Sequence, residues 1–239
     1  MDFNIRKPTH FFALLVVSFA LFLLIILPIL YFFSEPTTGI VLSEFAILLS
    51  SIITVMIFIA TPLIWYLLVN NYGFKDIFNS LNLRLEKIDE AFLWGVLAAI
   101  LMFAMVMIIG YLLYATGVVD QETEISNVED LAGNLSILSM VFIIIFQSIS
   151  EEIFFRGFLL DKINSFAGKN IAILTTAILF GLAHMSYGKI YPVIMPIIMG
   201  VLLGYIVLRT KNLYAAITAH MLFNFASFIL YIFAQSLTG

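Results

Sequence analysis

The chain has 239 residues, 63% hydrophobic and 11% charged, with a formal net charge of -4 and no cysteine. A soluble domain is about half apolar and a quarter charged, so this composition is that of an integral membrane protein. The 11 Lys and Arg are scattered, which argues against nucleic acid as a partner, and without cysteine there is no disulfide, thiolate metal site or cysteine nucleophile.

A transmembrane helix needs about 20 apolar residues to cross a hydrocarbon core of about 30 Å, and apolar windows of that order recur seven times. The first, Phe11–Phe33, follows the basic pair Arg6 and Lys7. It is too long for a signal-peptide core and reads as a retained span. The next are Ile40–Val69, Ala91–Gly117 and Leu135–Ser150, the last running on into the stretch SISEEIFFRGFLL from Ser148 to Leu160. Ile171–Met185, Ile190–Leu208 and Leu213–Gln235 complete the set. Pro28 and Pro62 fall inside spans and predict kinks that neighbouring helices can accommodate. Gly200 and Gly204 form a GxxxG pattern that permits close helix approach. The pattern predicts an all-α, polytopic transmembrane helical bundle of about seven spans, a single membrane domain with residues 1–130 as N-terminal helices and 131–239 as a C-terminal helical core.

Loop charges orient these spans. Arg6, Lys7, Lys75, Arg84, Lys87, Lys162, Lys169, Arg209 and Lys211 all fall in alternate connections, while the opposite set holds Lys189 and the acidic stretch from Asp120 to Asp130. By the positive-inside rule the N-terminus is cytoplasmic and the C-terminus outside, in a multi-pass protein of the cell membrane.

Away from the loops, Glu44, Glu151, Glu152, Arg156, His184 and His220 are ionisable groups in or beside spans. Such a group costs about 2.5–3.5 kcal/mol on insertion scales, so it usually faces a polar cavity and has a task. On a helix, Glu152 and Arg156 are four apart and suited to an ion pair, while Glu151 points about 100° away beside Gln147. The bland alternative is a solvated helix end. His184 follows Phe180 by four residues, placing a ring on its own face, which is equally the pattern of a satisfied core histidine. His220 and Asn224 also share a face, either to converge on one ligand or to join helices by a hydrogen bond. Their joint occurrence in three late spans favours a site.

In order and spacing, Glu151-Glu152-Ile-Phe-Phe-Arg156, Phe180-Gly-Leu-Ala-His184 and His220-Met-Leu-Phe-Asn224 resemble the three motifs of the CPBP family. That family comprises type II CAAX prenyl endopeptidases, bacteriocin-processing and Abi membrane proteases, and lysostaphin resistance protein A-like proteins. The resemblance runs from about Leu135 to the C-terminus. It implies peptide-bond hydrolysis within the membrane on a hydrophobic or prenylated peptide, with membrane lipid around the protein.

The residues are chemically adequate for that reaction. Glu151 and His184 can orient and deprotonate a water, and neutral His220 with the Asn224 amide can donate to the oxyanion. Glu152, Arg156 and Phe180 are supporting residues. The expected mechanism uses no cofactor. The alternative binds zinc through Glu151, His184 and His220, without the usual HExxH helix. A third reading is a non-catalytic membrane immunity or adaptor protein that keeps the same residues as helix glue. Counted at 1.5 Å per residue, Glu151 and His220 fall in the cytoplasmic half, whereas His184 lies about 20 Å deep, out of level with both.

The orientation is testable because the chain has no cysteine of its own. Single cysteines at Glu122 and Lys211 are expected to react with an impermeant thiol reagent from opposite sides of the membrane. Labelling of both from one side would refute the assigned topology.

Overall fold

Two of the long helices start at a serine that caps their unpaired N–H groups. The structure, a computed structural model, describes residues 3–34, 43–117, 135–185 and 191–238. Helix α1 (Pro8–Phe33) opens on a proline, which loses nothing at a first turn, and passes through a π-helical turn at Phe22–Ile26 just before Pro28. That wider turn is where the expected kink is absorbed. Helix α2 (Glu44–Leu68) is capped by Ser43, whose hydroxyl accepts the Ala46 N–H at 3.3 Å. A short helix α3 (Phe74–Ser80) leads into α4 (Ile88–Ala115). Helix α5 (Ile137–Ala167) is capped by Ser136, carries a π-helical stretch at Ile153–Leu159, and ends at Gly168, whose φ of 82° favours glycine. Then come α6 (Lys169–Leu182), α7 (Tyr191–Thr210) and α8 (Leu213–Thr238).

Six of these helices, α1, α2, α4, α5, α7 and α8, are long and apolar enough to cross a membrane. The remaining expected span corresponds to α6, whose 14 residues reach about 21 Å, short of a full crossing. The all-helical bundle of about seven spans is thus what the chain forms. The acidic stretch from Asp120 to Asp130, Lys189, and the division between residues 130 and 131 lie outside the described residues.

Glu44 has a local explanation. Its carboxylate accepts the backbone N–H of Ser136 at 3.0 Å and the hydroxyl of Ser139, so it clips the start of α2 to the start of α5. A negative group there also complements the α5 dipole. Glu44 therefore fixes two helix ends and is no part of the later site.

Two apolar clusters share α5 between them. One joins α1 and α2 to the aromatic stretch of α5, with Phe58 and Trp65 against Phe154, Phe155 and Phe158. The other joins α4, α7 and α8 and reaches α5 at Leu160. Small residues make the closest approaches, as expected where lipid removes the hydrophobic drive between helices. Gly95 on α4 faces α8 so tightly that a Cβ would lie 2.6 Å from Thr218 Cβ and 2.8 Å from the Ala215 carbonyl. Gly200 on α7 stands against α6, where a Cβ would lie 2.9 Å from Ala177 Cα, while a Cβ on Gly204 would meet Ile173 at 3.5 Å, an ordinary contact.

The GxxxG pair therefore divides. Gly200→Ala is expected to push α6 and α7 apart and to destabilise by about 1–3 kcal/mol, the usual range for overpacking. Gly204→Ala should be neutral or slightly stabilising, since alanine is the better helix former. Thermal unfolding of the two variants in detergent micelles checks this, and equal behaviour would refute the packing.

Candidate active site

Two rows of side chains on α5 build the site, each spaced by four residues. Ser148, Glu152 and Arg156 form one row, all 0–1% exposed. Gln147, Glu151 and Phe155 form the adjacent row and line a cavity of about 280 Å³. Adjacent residues on a helix point about 100° apart, so the two neighbouring glutamates enter different surroundings.

The first row is closed. Arg156 Nη1 donates to Glu152 Oε1 at 2.9 Å, and His220 Nδ1 lies 2.9 Å from the same oxygen. The guanidinium rests on the face of Phe180, 4.2 Å from the ring centroid, a cation–π contact strengthened by dryness. Gly200 leaves room for it, since a Cβ there would come within 3.2 Å of Arg156 Nη2. One turn away, the Asn224 amide donates to Ser148 Oγ at 3.0 Å. His220 to Glu152 and Asn224 to Ser148 are thus two rungs of one antiparallel contact between α8 and α5. Glu152, paired with an arginine, can only accept, so His220 gives it the Nδ1 hydrogen. A neutral His220 then keeps its lone pair on Nε2, and it donates from Nε2 only when doubly protonated.

The second row is open. Glu151 Oε1 accepts from Gln147 Nε2 at 3.0 Å, and its other oxygen faces His220 Nε2 at 3.8 Å, too far for a direct hydrogen bond and a distance that one water can bridge. His184 stands in the turn just after α6, lines the same cavity, and lies within electrostatic reach of Glu151 and His220. Its Nδ1 is 2.7 Å from the Phe180 carbonyl, and its ring meets that of Phe180 edge-on at 4.9 Å. Phe180 also meets His220 edge-on at 5.8 Å, so one phenyl ring separates and orients both histidines and the arginine.

The level mismatch anticipated from the sequence disappears, because α5 continues well past the motif. Glu151 lies near its middle rather than at its inner end, about 25 Å from Gly168, and His184 lies about 24 Å from the same glycine along α6. The two residues are at one height on either arm of a helical hairpin. His220 reaches that height because α8 starts inside the protein. The buried Asn212 donates to the Arg84 carbonyl at 2.9 Å, and the Leu213 N–H donates to the Asn82 carbonyl at 2.8 Å.

Glu151, Glu152, Arg156, Phe180, His184, His220 and Asn224 are therefore brought together. Residues 133–226 match the model of the type II CAAX prenyl endopeptidase Rce1-like family. The match bears out the resemblance to the CPBP family, and it encloses every residue of the three motifs. No curated protein and no solved structure gives a significant match. Outside the Rce1-like region, Leu24 and Pro28 of α1 and Ser50, Ser51, Thr54 and Phe58 of α2 complete the cavity wall. These were not foreseen. The hydroxyls of Ser50, Ser51 and Thr54, polar groups recurring within an apolar span, were the available signal.

Glu152→Gln is expected to strand Arg156 in a dry interior and to cost about 3–5 kcal/mol, the usual loss when one partner of a buried pair is removed. Adding Arg156→Met should recover much of that. Thermal unfolding of the two single and the double variants measures the coupling, and additive losses would contradict a paired role.

Proposed function

We propose that the protein is an intramembrane endopeptidase of the CAAX prenyl protease kind, acting on a hydrophobic or prenylated peptide through a water activated by Glu151. One observation carries this reading: of two adjacent glutamates, Glu152 is sealed at 0% exposure by Arg156 and His220, while Glu151 opens onto a cavity that His184 also lines. A carboxylate facing a cavity beside two histidines has the makings of a general base.

The steps use the chain's own residues. Glu151, oriented by Gln147, takes a proton from a water held with His184, and the water oxygen adds to the scissile carbonyl carbon. The carbonyl oxygen becomes an oxyanion, to which the second N–H of Asn224 and Nε2–H of a doubly protonated His220 donate. Here the proposal departs from the neutral histidine expected from sequence, because Glu152 already takes the Nδ1 hydrogen. Collapse of the intermediate breaks the C–N bond, and the proton held by Glu151 passes to the leaving amine. Phe180 positions the two histidines. These steps use no metal, and none is routed through zinc.

Purified protein should cleave a fluorogenic peptide ending in farnesyl-cysteine and three aliphatic residues, or its unprenylated counterpart. Glu151→Gln should lower turnover by about 10²–10⁴-fold at unchanged thermal stability. Undiminished biological function in Glu151→Gln would point to the adaptor reading. Elemental analysis of active protein decides the metal question: about one zinc per chain, lost with activity on chelation and restored on addition, would falsify the metal-free mechanism.

A further inference from the structure

A second apolar groove lies between α6 and α7. It has a volume of about 650 Å³ and shares no lining residue with the cavity at Glu151. Ile173 and Leu174 of α6 form one wall, Val201 and Tyr205 of α7 the other, and Met105 of α4 stands beside them. Leu174 and Tyr205 are each 55% exposed, so the groove opens sideways into the lipid that surrounds the bundle.

One end of this groove is basic. A Cβ on Gly204 would meet Ile173 and one on Gly200 would meet Ala177, so α6 begins beside the end of α7. Lys169 lies four residues before Ile173, and Arg209 four after Tyr205, so each continues one wall by a turn at that common end. Both are exposed, and neither forms an ion pair among the described residues, whereas Lys87 and Lys162 each hold a carboxylate, at 3.6 and 3.2 Å. The Asn170 amide and the Tyr205 hydroxyl, which line the same end, hydrogen-bond to no other described residue.

Length and charge together select the occupant. From Arg209 to Ile198, the lining residue of α7 farthest from it, the groove runs about 16 Å, close to half of a hydrocarbon core of roughly 30 Å. That is the depth of one leaflet, too short for a partner helix that crosses the membrane. A second copy docked here about a two-fold axis along the membrane normal would bring Lys169 and Arg209 of both chains to one end, where like charges repel. A neutral lipid would fill the apolar part and leave both cations without a partner. Basic pockets between membrane helices suit anionic headgroups.

We propose that this groove binds an anionic phospholipid, with one acyl chain between α6 and α7 and the phosphate paired with Lys169 and Arg209. Asn170 and Tyr205 then meet the glycerol and ester groups. The bound lipid seals the outer seam between α7 and α6, the helix that carries Phe180 and leads into His184.

The test locates the lipid and separates it from a diffuse attraction of basic ends to anionic membranes. Full-length protein in phosphatidylcholine nanodiscs receives a trace of phosphatidylglycerol with a photoreactive group on its acyl chain, and crosslinked peptides are mapped. Crosslinks should fall on α6 and α7 around Leu174 and Val201, and unlabelled phosphatidylglycerol should compete. Lys169→Ala or Arg209→Ala should weaken that competition about fivefold each, the worth of one cation near an anionic headgroup, and the double variant about twentyfold to thirtyfold. Lys75→Ala with Lys87→Ala, which removes the same charge from the connection between α2 and α4, should leave it unchanged. Val201→Trp fills the groove and should remove the crosslink with helical circular dichroism retained. Crosslinks spread evenly over the exposed helices, equal losses in the two double variants, or labelling that survives Val201→Trp would overturn the proposal. So would a particle of two chains that Val201→Trp reduces to one, which would assign the groove to a second copy.

Discussion

The buried Glu152–Arg156 pair inside a membrane-spanning helix sets the packing of the helices that enclose it. Two ions taken out of water lose several kcal/mol of hydration each, and their mutual attraction offsets that only when the geometry is good and other contacts join in. Here the contacts come from three other helices. Helix α8 adds His220 on the same carboxylate oxygen, α6 adds the face of Phe180, and α7 adds space at Gly200. A pair so enclosed contributes little to net stability compared with an apolar substitute, yet it admits only one register of the helices around it.

That register is what makes the neighbouring glutamate useful. Because Glu152 holds His220, and because Ser148 receives Asn224 one turn away, the α8 face is locked against α5 with the Nε2 edge of the imidazole turned towards Glu151. Glu151 can then remain open to the cavity at 7% exposure without carrying any structural load. The division follows from helix geometry. Two residues in succession point about 100° apart, so a doublet of identical side chains supplies one sealed anchor and one group that faces the cavity.

Much of this was legible in the sequence because bilayer chemistry is severe. Apolar windows gave the spans, and intramembrane polar residues are rare enough that Glu151, His184, His220 and Asn224 stood out together. The Glu152–Arg156 pair followed from spacing alone. Depth did not. Counting α5 as finished near Ser150 put Glu151 close to the inner end, whereas the helix runs on through Phe154, Phe155 and Phe158, which bury their rings against α2. Nor could sequence see that α8 starts inside the protein, since that depends on Asn212 meeting the carbonyls of Arg84 and Glu86 more than 120 residues away. The tautomer of His220 is also a tertiary fact, fixed by a carboxylate 68 positions distant in the chain. Glu44, conspicuous as a charge in an apolar span, proved to be a helix clip because its partners Ser136 and Ser139 belong to another helix.

The N-terminal helices have no motif, yet they supply one wall of the cavity that Glu151 faces. Helix α1 reaches the cavity through Leu24, inside its π-helical turn, and Pro28, which follows that turn, and α2 reaches it along Ser51, Thr54 and Phe58, one face of a helix at spacings of three and four. One end of that wall is held to α5 by the Glu44 clip, seven residues before Ser51, and the other by the packing of Phe58 on Phe154 and Phe155. The wall is thus fixed to α5 at both ends. The half of the cavity contributed by α1 and α2 is set by the packing of these helices on α5 rather than by spacing within one helix, which is why it could not be read from the sequence alone.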